Sequence, residues 1–422
     1  RSAQQDGHAF LADAARAGAP AALVDRPDPA LPLPQLVVAD PLVAWQAIAR
    51  AHRRAFRGPV VGISGSAGKT STKDLLALLL GGAASGVAAT EGNFNNHLGV
   101  PLTLTRLDPA HHRFAVVEAG VSVPGEMPPL AAMIEPDVAI ITLVAPAHTE
   151  ALGGIDGVAR EKALLPAAVR AGGIAILPLQ SAAFPAFRDL GVHRMVIERA
   201  DVVRPAEPPN DRVYFTVSHR EGKTAVALAY GPPPPLAFSF RRVSDGMAQN
   251  AVLAICTALW LGVSREMVQA RLQEWQSAAL RGEIRQLHGR LLYLDCYNAN
   301  PASMADALAS FVAIAPEAEP RLFVIGCMEE LGAEAPAHHR ALGRTLALRD
   351  EDRVLIIGTQ AREIAAGLQE RGHGGPQVQV LANLAPAVAA VAEWRGAIFV
   401  KGSRRYALEQ VLAETGEVSV HA

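Results

Sequence analysis

Short apolar segments alternate with helical segments along the last third of the chain. Five such segments recur about every thirty residues, at 291–295, 321–326, 353–358, 378–382 and 397–402. Each is followed by a stretch rich in Ala, Leu, Glu and Arg. Strands that alternate with helices are typical of right-handed βαβ units, and strands that are apolar on both faces indicate an open parallel sheet. The pattern predicts a Rossmann-like parallel sheet over residues 280–422.

The middle of the chain repeats this alternation and then departs from it. Five apolar segments alternate with helical patterns, at residues 60–64, 86–90, 114–120, 138–146 and 173–178. Three more follow one another through polar turns with no helix between them, at residues 213–218, 224–230 and 236–243. Two helical patterns, 248–262 and 264–276, come next. The sequence therefore predicts an α/β protein whose central part, residues 52–279, is a parallel sheet with an antiparallel patch.

A smaller first unit is predicted over residues 1–51, with strand candidates at 21–25 and 36–40. The chain begins at Arg1 inside a predicted loop, so we expect that an N-terminal segment is missing from this sequence. The three units together predict a three-domain α/β architecture. A length of 422 residues agrees with two or three domains.

Composition excludes several classes of protein. The chain carries 39 Lys and Arg against 41 Asp and Glu, a net charge of −2, which does not favour a nucleic-acid or anionic-membrane binder. With 50% hydrophobic residues, 19% charged residues and three cysteines, it is neither disordered nor held together by disulfides. We find no run of 18 uncharged apolar residues and no secretory signal pattern. The default expectation is a cytoplasmic enzyme with no membrane insertion.

Polar segments follow four strands of the predicted C-terminal sheet, at residues 295–301, 326–332, 358–360 and 401–404. Ligands of open parallel sheets bind at the carboxyl ends of the strands. We therefore expect a binding edge here. Cys296 and Cys327 each follow one of two consecutive apolar strands, which we predict to be neighbours in the sheet.

Residues 60–72, VVGISGSAGKTST, combine an apolar strand, a glycine-rich turn and the start of a helix. Backbone amides of such a loop bind phosphate, the lysine contacts the outer phosphates, and the hydroxyl binds Mg²⁺. The spacing Gly65-x-x-Gly68-Lys69-Thr70 is shorter than a full Walker A motif, since Ile63 stands where the first glycine would fall. The alternative is a tight turn with a solvated lysine. The flanking strand and helix favour a nucleotide site.

Two further strand ends face the same crevice if the central sheet is doubly wound. Glu118 ends one strand and His148 follows the next. A carboxylate and an imidazole placed there could approach the metal ion that accompanies ATP. The alternatives are a hydrogen-bonded buried glutamate and a surface histidine.

Motifs over nearly the whole chain resemble those of the ATP-dependent Mur ligases. The phosphate loop is similar to that of the family, and NANP together with KGSR is the most specific part of the resemblance. The segments concerned are DGHAF (6–10), GISGSAGKTST (62–72), EGNFNNHLGVPLTL (91–104), VVEAGVSVPGEM (116–127), APAHTEALGGIDGVAREK (145–162), LDCYNANPASM (294–304), GCMEELG (326–332) and KGSRR (401–405).

The resemblance implies an activity and its substrates. Within the family the motifs are most similar to those of the members that join D-alanyl-D-alanine to UDP-N-acetylmuramoyl-tripeptide in peptidoglycan synthesis. ATP and Mg²⁺ are the implied cofactors, an acyl phosphate is the implied intermediate, and the protein is expected to act as a monomer. Phosphoryl transfer of this kind needs positioning and positive charge from the protein.

The resemblance also assigns site residues. Lys69, His148 and Lys162 are implied to be catalytic, and the metal ligands are implied to be Thr70, Glu118, His148 and Lys162. The implied ATP-binding residues are Gly65, Ser66, Ala67, Gly68, Lys69, Thr70, Ser71, Asn250, Arg281 and Asp295. The implied substrate-binding residues are Asn93, Asn95, Asn96, Tyr297, Asn298, Asn300, Lys401 and Ser403. Lys162 is implied to be carbamylated, whereas composition alone favours an exposed, solvated lysine.

Departures from the family pattern leave other readings open. Gly246-Met247 stands where the family usually has His-Asn, Cys296 replaces a serine, and Cys327 replaces an aspartate. The chain could thus be another amide ligase of the superfamily, of a folylpolyglutamate or cyanophycin type or with a different dipeptide. A catalytically reduced nucleotide-binding scaffold is the third reading. Retention of Lys69 and Glu118 with the other metal and phosphate residues argues against it.

Overall fold

The strands of the chain form three separate sheets in the part of the molecule that the structure, a computed structural model, describes. The described residues are 6–201, 211–230 and 234–415. The sheets have two, nine and six strands, in that order along the chain. No helix among these residues combines the length and apolarity needed to cross a membrane.

The first sheet is small and is followed by a helix that packs on the next unit. Its two strands, β1 and β2, pair in parallel. They are β1 (Ala22–Val24) and β2 (Gln35–Val37), flanked by α1 (Leu11–Arg16) and α2 (Pro41–Ala55). Asp40 begins α2 by accepting hydrogen bonds from two backbone amides. The buried guanidinium of Arg53 donates to the carbonyl of Ile134 and to Asp137. Helix α2 therefore runs across the domain boundary that we propose at residue 51.

The second sheet has the predicted mixed topology. Its strands are β3 (Val60–Ser64), β4 (Val87–Ala89), β5 (Phe114–Glu118), β6 (Val138–Ile141), β7 (Ile174–Pro178), β8 (His193–Arg199), β9 (Arg212–Arg220), β10 (Lys223–Leu228) and β11 (Leu236–Arg241). Their order in the sheet is β11-β10-β9-β8-β7-β6-β3-β5-β4. Strands β9, β10 and β11 pair antiparallel and the others parallel. The parallel sheet with an antiparallel patch is confirmed, and β8 is an addition that the sequence analysis missed.

Helices cover both faces of this sheet because its central strands are apolar on both sides. They are α3 (Lys69–Leu80), α4 (Gly99–Thr105), α5 (Met127–Ile134), α6 (Thr149–Leu152), α7 (Ile155–Ala167), α8 (Leu179–Ala182), α9 (Asp245–Trp260) and α10 (Arg265–Leu272). Val61 and Ile63 of β3 belong to a core shared with α3 and α9. Val60 of the same strand belongs to the core on the opposite face, with α4 and α5. This alternation places the carboxyl end of β3, and the loop after it, between two helical layers.

The third sheet is parallel apart from one edge strand. Its strands are β12 (Glu283–Leu287), β13 (Arg290–Asp295), β14 (Arg321–Gly326), β15 (Arg353–Ile357), β16 (Val378–Leu381) and β17 (Ala397–Lys401), and its helices are α11 (Pro301–Ile314), α12 (Ala335–Thr345), α13 (Ala361–Gln369) and α14 (Ala385–Glu393). Strand β12 pairs antiparallel with β13 and was not predicted as a strand. The Rossmann-like parallel sheet is confirmed.

The prediction that the strands before Cys296 and Cys327 are neighbours in the sheet is wrong. The sheet order is β12-β13-β17-β14-β15-β16, so β17, the last strand of the described residues, lies between the two strands that precede these cysteines. Residue Ile398 of β17 pairs with Leu292 on one side and Leu322 on the other. All five residues of β17 are buried. Such a strand is most stable at the centre of a sheet, because there it removes the most apolar surface from contact with solvent.

Candidate active site

A cleft of about 540 Å³ lies where the carboxyl ends of the second and third sheets face each other. The residues that line it include most of the predicted site. These are Ser66, Ala67, Gly68, Lys69, Thr70, Ser71, Asn93, Asn95, Asn96, Glu118, His148, Asn250, Arg281, Asp295, Tyr297, Asn298, Asn300 and Lys401. Three predicted site residues do not line the cleft: Gly65, Lys162 and Ser403.

The loop after β3 has a conformation that requires glycine at two positions. Gly65 has a φ of 152°, and a Cβ there would lie 1.9 Å from the Thr142 hydroxyl. Gly68 has a φ of 78°, and a Cβ there would lie 2.3 Å from the amide nitrogen of Asn250. The loop is also bound to the adjacent strand end, since the Ser66 amide donates to the Leu143 carbonyl. Close packing thus fixes the loop at the start of α3, and residues 66–71 line the cleft. The first amides of a helix have no partner within the helix, so a loop at this position is a phosphate site.

Lys69 is the first residue of α3 and lines the cleft. Its ammonium donates to the Gly65 carbonyl over 3.0 Å, so the side chain folds over the loop. Burial lowers the pKa of Lys69, and the charge of Glu118 opposes that shift. A cation held over the loop amides is placed to neutralise phosphate oxygens.

Glu118, at the end of β5, has one satisfied and one unsatisfied carboxylate oxygen. Its Oε1 accepts a hydrogen bond of 2.8 Å from the Asn95 side chain, and its backbone amide donates to the Thr90 hydroxyl. Its Oε2 is buried and has no hydrogen-bond partner among the described residues. Burial of a carboxylate oxygen without a partner costs free energy. A bound hard cation would stabilise this oxygen.

Hydrogen bonds to backbone groups hold the asparagine-rich segment, residues 93–96, beside the cleft. Asn96 accepts hydrogen bonds from the amides of Leu98 and Gly99, which begin α4. The Asn95 carbonyl accepts from the Gly120 amide. These bonds hold the segment against the end of β5, so Asn93, Asn95 and Asn96 line the cleft on the side of Glu118.

His148 contacts the loop that follows β14 of the third sheet. Its Nδ1 pairs with the carboxylate of Glu330, and burial lowers the pKa of the imidazole. The Thr149 hydroxyl donates to the Leu331 carbonyl over 3.4 Å. A Cβ on Gly332 would lie 3.0 Å from the Cβ of Glu150. The segments 148–150 and 330–332 thus face each other residue by residue.

Lys162, on α7, is 1% exposed, so the alternative of an exposed helix lysine is wrong. Burial and, to a smaller extent, the charge of Lys69 lower the pKa of Lys162 to about 7, although the charge of Glu161 opposes them. Near neutral pH a large share of the amine is therefore neutral. Lys162 does not line the cleft, but it is close enough to two cleft residues for charge interactions. The charge of Lys69 lowers the pKa of Lys162, and the charge of Lys162 lowers the pKa of His148.

The third sheet contributes a fixed ion pair and an aromatic contact. Lys401, at the end of β17, donates to Asp295 over 2.6 Å and to the Asn298 carbonyl over 3.2 Å. The guanidinium of Arg281 lies 3.9 Å from the centre of the Tyr297 ring. Both contacts shape the loop after β13, which forms the roof of the cleft over the phosphate loop.

Asn300 connects this roof to the phosphate loop. Its Oδ1 accepts from the Ser303 amide and so begins α11, while its Nδ2 donates to the Ser66 carbonyl over 3.1 Å. One side chain thus fixes the helix on the third sheet's side and contacts the loop on the second sheet's side. Ser403 has a supporting role, since its hydroxyl accepts from the Glu329 amide beneath the 326–332 loop.

The two departures at cysteine positions lie in the core and not in the cleft. Burial raises the pKa of Cys296 to about 12 and that of Cys327 to about 11, so both are protonated thiols. Both side chains are fully buried. The loop after β14 is held from below by His339, whose Nε2 accepts from the Met328 amide.

Several lining residues were not predicted as site residues, although Gly246 and Met247 were named as departures from the family pattern. Ser244 and Met247 line one end of the cleft together with Gly246, and Tyr293 and Asp306 face them from the third sheet. A signal for Asp306 existed, because it is the single charged residue in the otherwise small and apolar helix PASMADALASFVAI. It shares one helix face with Ala302 and Ser303, which also line the cleft.

The cleft offers oxygen ligands for a metal ion. Within the described ranges no group of three or more His, Cys, Asp and Glu side chains is arranged to hold a metal ion. Mg²⁺ commonly uses one or two carboxylates with substrate phosphates and water. Glu118, with its unsatisfied oxygen, and Thr70, with its hydroxyl, both line the cleft and fit that requirement.

Comparisons with known proteins agree with this geometry. Residues 63–257 match the Mur ligase middle domain family, and residues 280–404 match the Mur ligase glutamate ligase domain family. The UDP-N-acetylmuramoyl-tripeptide–D-alanyl-D-alanine ligase of Escherichia coli is 30% identical over 415 residues, covering 96% of this chain and 87% of that ligase.

Two solved structures share the fold. The crystal structure of MurF from Acinetobacter baumannii has a TM-score of 0.84 at 27% identity and covers 98% of this chain and 89% of that one. MurF ligase from Thermotoga maritima, solved in complex with ADP, has a TM-score of 0.80 at 23% identity, covering 98% and 92%. With matching sequence and fold, the chain belongs to the Mur ligase family.

Proposed function

We propose that this protein joins D-alanyl-D-alanine to UDP-N-acetylmuramoyl-tripeptide at the expense of ATP, forming ADP and phosphate. The hydrogen bond from Asn300 to the Ser66 carbonyl carries this proposal, because it brings the NANP motif of one sheet onto the phosphate loop of another. A relative with 30% identity over nearly the whole chain bears the name of that activity. The same cleft holds Lys69 and the buried carboxylate of Glu118.

The reaction has two steps. A carboxylate oxygen of the tripeptide attacks the γ-phosphorus of ATP, the bond to the β-γ bridging oxygen breaks, and ADP leaves. The amine of the dipeptide then attacks the carbonyl carbon of the acyl phosphate, the nitrogen loses a proton, and inorganic phosphate leaves. Neither step needs a protein nucleophile, so the chain's task is to align the reactants and stabilise negative charge.

The residues of the cleft fit these tasks. The loop amides from Gly65 to Lys69 and the Lys69 ammonium would hold the phosphates and stabilise the charge that develops on the transferred group. Arg281, above the Tyr297 ring, adds positive charge from the roof. Two sheets that supply one cleft favour a reaction that proceeds with the cleft closed and water excluded.

We further propose Mg²⁺ as the metal ion. Thr70, Glu118, His148 and a carbamylated Lys162 would hold it, and when bound it would supply positive charge to the phosphate oxygens. The unsatisfied oxygen of Glu118 supports this assignment. Residues 1–51, 52–279 and 280–422 are the proposed domains. We propose that the protein acts as a monomer in the cytoplasm, where ATP and the nucleotide substrate are present.

Glu118→Gln is expected to raise the Mg²⁺ concentration required for half-maximal activity by about tenfold. The amide keeps the contact with Asn95 but loses the negative charge that attracts the cation, and one lost charged contact corresponds to about 1.5–3 kcal/mol. A magnesium titration of phosphate release measures the shift. Glu126→Gln, which also lines the cleft but hydrogen-bonds to the Ser122 amide, is the matched control and should leave the titration midpoint unchanged. An identical midpoint for both variants would contradict the role of Glu118.

The direct test combines product detection with omission of each substrate. The protein is mixed with ATP, Mg²⁺ and UDP-N-acetylmuramoyl-tripeptide, with and without D-Ala-D-Ala, and phosphate release and the mass of the nucleotide product are followed. We expect stoichiometric phosphate and pentapeptide only with all four components. Amide formation with glutamate or another amine in place of the dipeptide would favour the second reading, another amide ligase. Nucleotide binding without turnover with any amine would favour the scaffold.

A further inference from the structure

Asp306 of α11 reaches across the cleft to the amino end of α9. Its Oδ1 accepts a hydrogen bond of 2.8 Å from the Gly246 amide. Burial, the larger effect, raises the pKa of this carboxylate, although the Ser244 side chain is close enough to lower it. The donor side belongs to the second sheet's unit and the acceptor side to the third, so this carboxylate links the two units at one end of the cleft.

The link completes the capping of α9. Ser244 begins the helix by accepting a hydrogen bond of 3.1 Å from the Met247 amide, which leaves the amide of Gly246 without a capping partner from its own helix. Asp306 supplies that partner from the other side of the cleft. A negative charge at a helix amino end is favourable, because the amides there carry a partial positive charge.

Gly246 is the residue that permits this approach. A Cβ at this position would lie 2.6 Å from Oδ2 of Asp306, which is closer than non-bonded atoms approach. The glycine lies in the first turn of an α-helix, where alanine is a better helix former by about 1 kcal/mol. Glycine here is therefore explained by the space that Asp306 occupies and not by the conformation of α9.

The contact lies in the wall of the cleft. Ser244, Gly246 and Asp306 all line it, on the same side as Asn250 and Met247. A second contact between the units involves the cleft residue His148, since residues 148–150 face residues 330–332. A third contact is the hydrogen bond from Asn300 to the Ser66 carbonyl, so three separate contacts join the two units around the cleft.

We propose that Asp306 is a positioning residue that holds the cleft closed around the nucleotide by capping α9 across the two units, and that Gly246 is the matching half of this contact. This inference rests on the proposed function only in taking the cleft as the nucleotide site. Separation of the units exposes the Gly246 amide and the Asp306 carboxylate to water. Closure joins them, so a bound nucleotide and the Asp306 contact favour the same arrangement.

The first test is equilibrium binding of a non-hydrolysable ATP analogue with Mg²⁺, measured by calorimetry in Gly246→Ala and Asp306→Ala. Each single variant should weaken binding by about tenfold, the range expected for a hydrogen bond to a charged group. Asp306→Asn should weaken it less, because its amide oxygen still accepts from Gly246. The double variant should bind no more weakly than Asp306→Ala, since the added methyl then has no carboxylate to meet.

Two measurements separate positioning from simple destabilisation. The unfolding temperature of Gly246→Ala should equal or exceed that of the native protein, because alanine favours α9. Hydrogen exchange should show that the analogue protects residues 244–250 in the native protein and fails to do so in Asp306→Ala. Asp245→Asn is the matched control, since Asp245 lies at the same helix end but pairs with Arg199 and His219 of its own unit. It should keep the native affinity.

The outcomes that overturn the inference are specific. Native affinity in Asp306→Ala, additive effects in the double variant, or equal protection of residues 244–250 in both proteins would each do so. These readouts use binding and exchange and not amide formation. A protein that binds the analogue as predicted but joins no dipeptide would refute the proposed function and leave this inference standing.

Discussion

Replacing Lys69 with alanine is expected to reduce the turnover number by about a thousandfold or more, the range seen when one preorganised positive group is removed from a phosphoryl- or acyl-transfer site. The ammonium lies over the phosphate loop. Among the described residues the one other lysine that lines the cleft is Lys401, and its charge is paired with Asp295. Nothing else on the loop could replace its charge.

The same change should leave the fold intact. Lys69 makes one hydrogen bond, to the Gly65 carbonyl, and burial already disfavours its charged form. Its removal therefore costs little in the free energy of unfolding. A thermal unfolding curve within a few degrees of the native one, together with single-turnover phosphate release, checks both halves of the prediction. A native turnover number would refute the role of Lys69.

Lys73, one helical turn later, is the matched control. It is also a lysine of α3, but it is buried, and its ammonium donates to the Thr90 carbonyl over 2.7 Å and pairs with Asp74. Lys73→Met should lower the unfolding temperature, because it leaves the buried Thr90 carbonyl without this partner. Single-turnover phosphate release by the folded fraction should stay far above that of Lys69→Ala.

Lys162→Ala is expected to lose activity by about a hundredfold or more, whereas Lys162→Glu should retain part of it. An ammonium at this buried position would add positive charge beside Lys69. A neutral amine can instead attack CO₂: a nitrogen–carbon bond forms, a proton leaves, and a carbamate with a single negative charge results. Burial favours this chemistry because it lowers the pKa of the lysine to about 7.

Dependence on CO₂ distinguishes the carbamate from a purely structural lysine. Native protein stripped of CO₂ and bicarbonate, and given time to lose the carbamate, should lose activity and recover it when bicarbonate is added. Lys162→Glu should be indifferent to bicarbonate, because its carboxylate is permanent. Formate or acetate should partly rescue Lys162→Ala by occupying the vacated anionic position.

A spectroscopic readout and a control complete this test. Protein equilibrated with carbon-13 bicarbonate should show a carbamate carbon signal that is absent in Lys162→Ala. Glu161→Gln changes the neighbouring charge, at a side chain that accepts from the Met127 amide. It should keep its response to bicarbonate. Full activity of the stripped native protein, or native turnover in Lys162→Ala, would show that Lys162 only fills space in the core.

Local patterns in the sequence predicted the parts of the site that depend on one segment. The strand at residues 60–64 and the loop with Lys69 and Thr70 follow from neighbouring residues alone, since apolar strand, glycine turn and helix start are contiguous. The placement of Glu118 at a strand end was predicted for the same reason. Strand β8 was missed because HRMVIER mixes charged and apolar residues without clear alternation.

The amino-acid sequence by itself determined the fold class, the order of the strands and helices apart from β8 and β12, and the residue types that carry phosphate chemistry. Only the tertiary structure decided that β17 lies between β13 and β14, that Glu330 contacts His148, and that Asp306 caps α9 through the space left by Gly246. The physical reason is that strand order and contacts between units depend on which surfaces bury the most apolar area together. Those surfaces come from segments far apart along the chain, so no local pattern of apolar and polar positions contains that information.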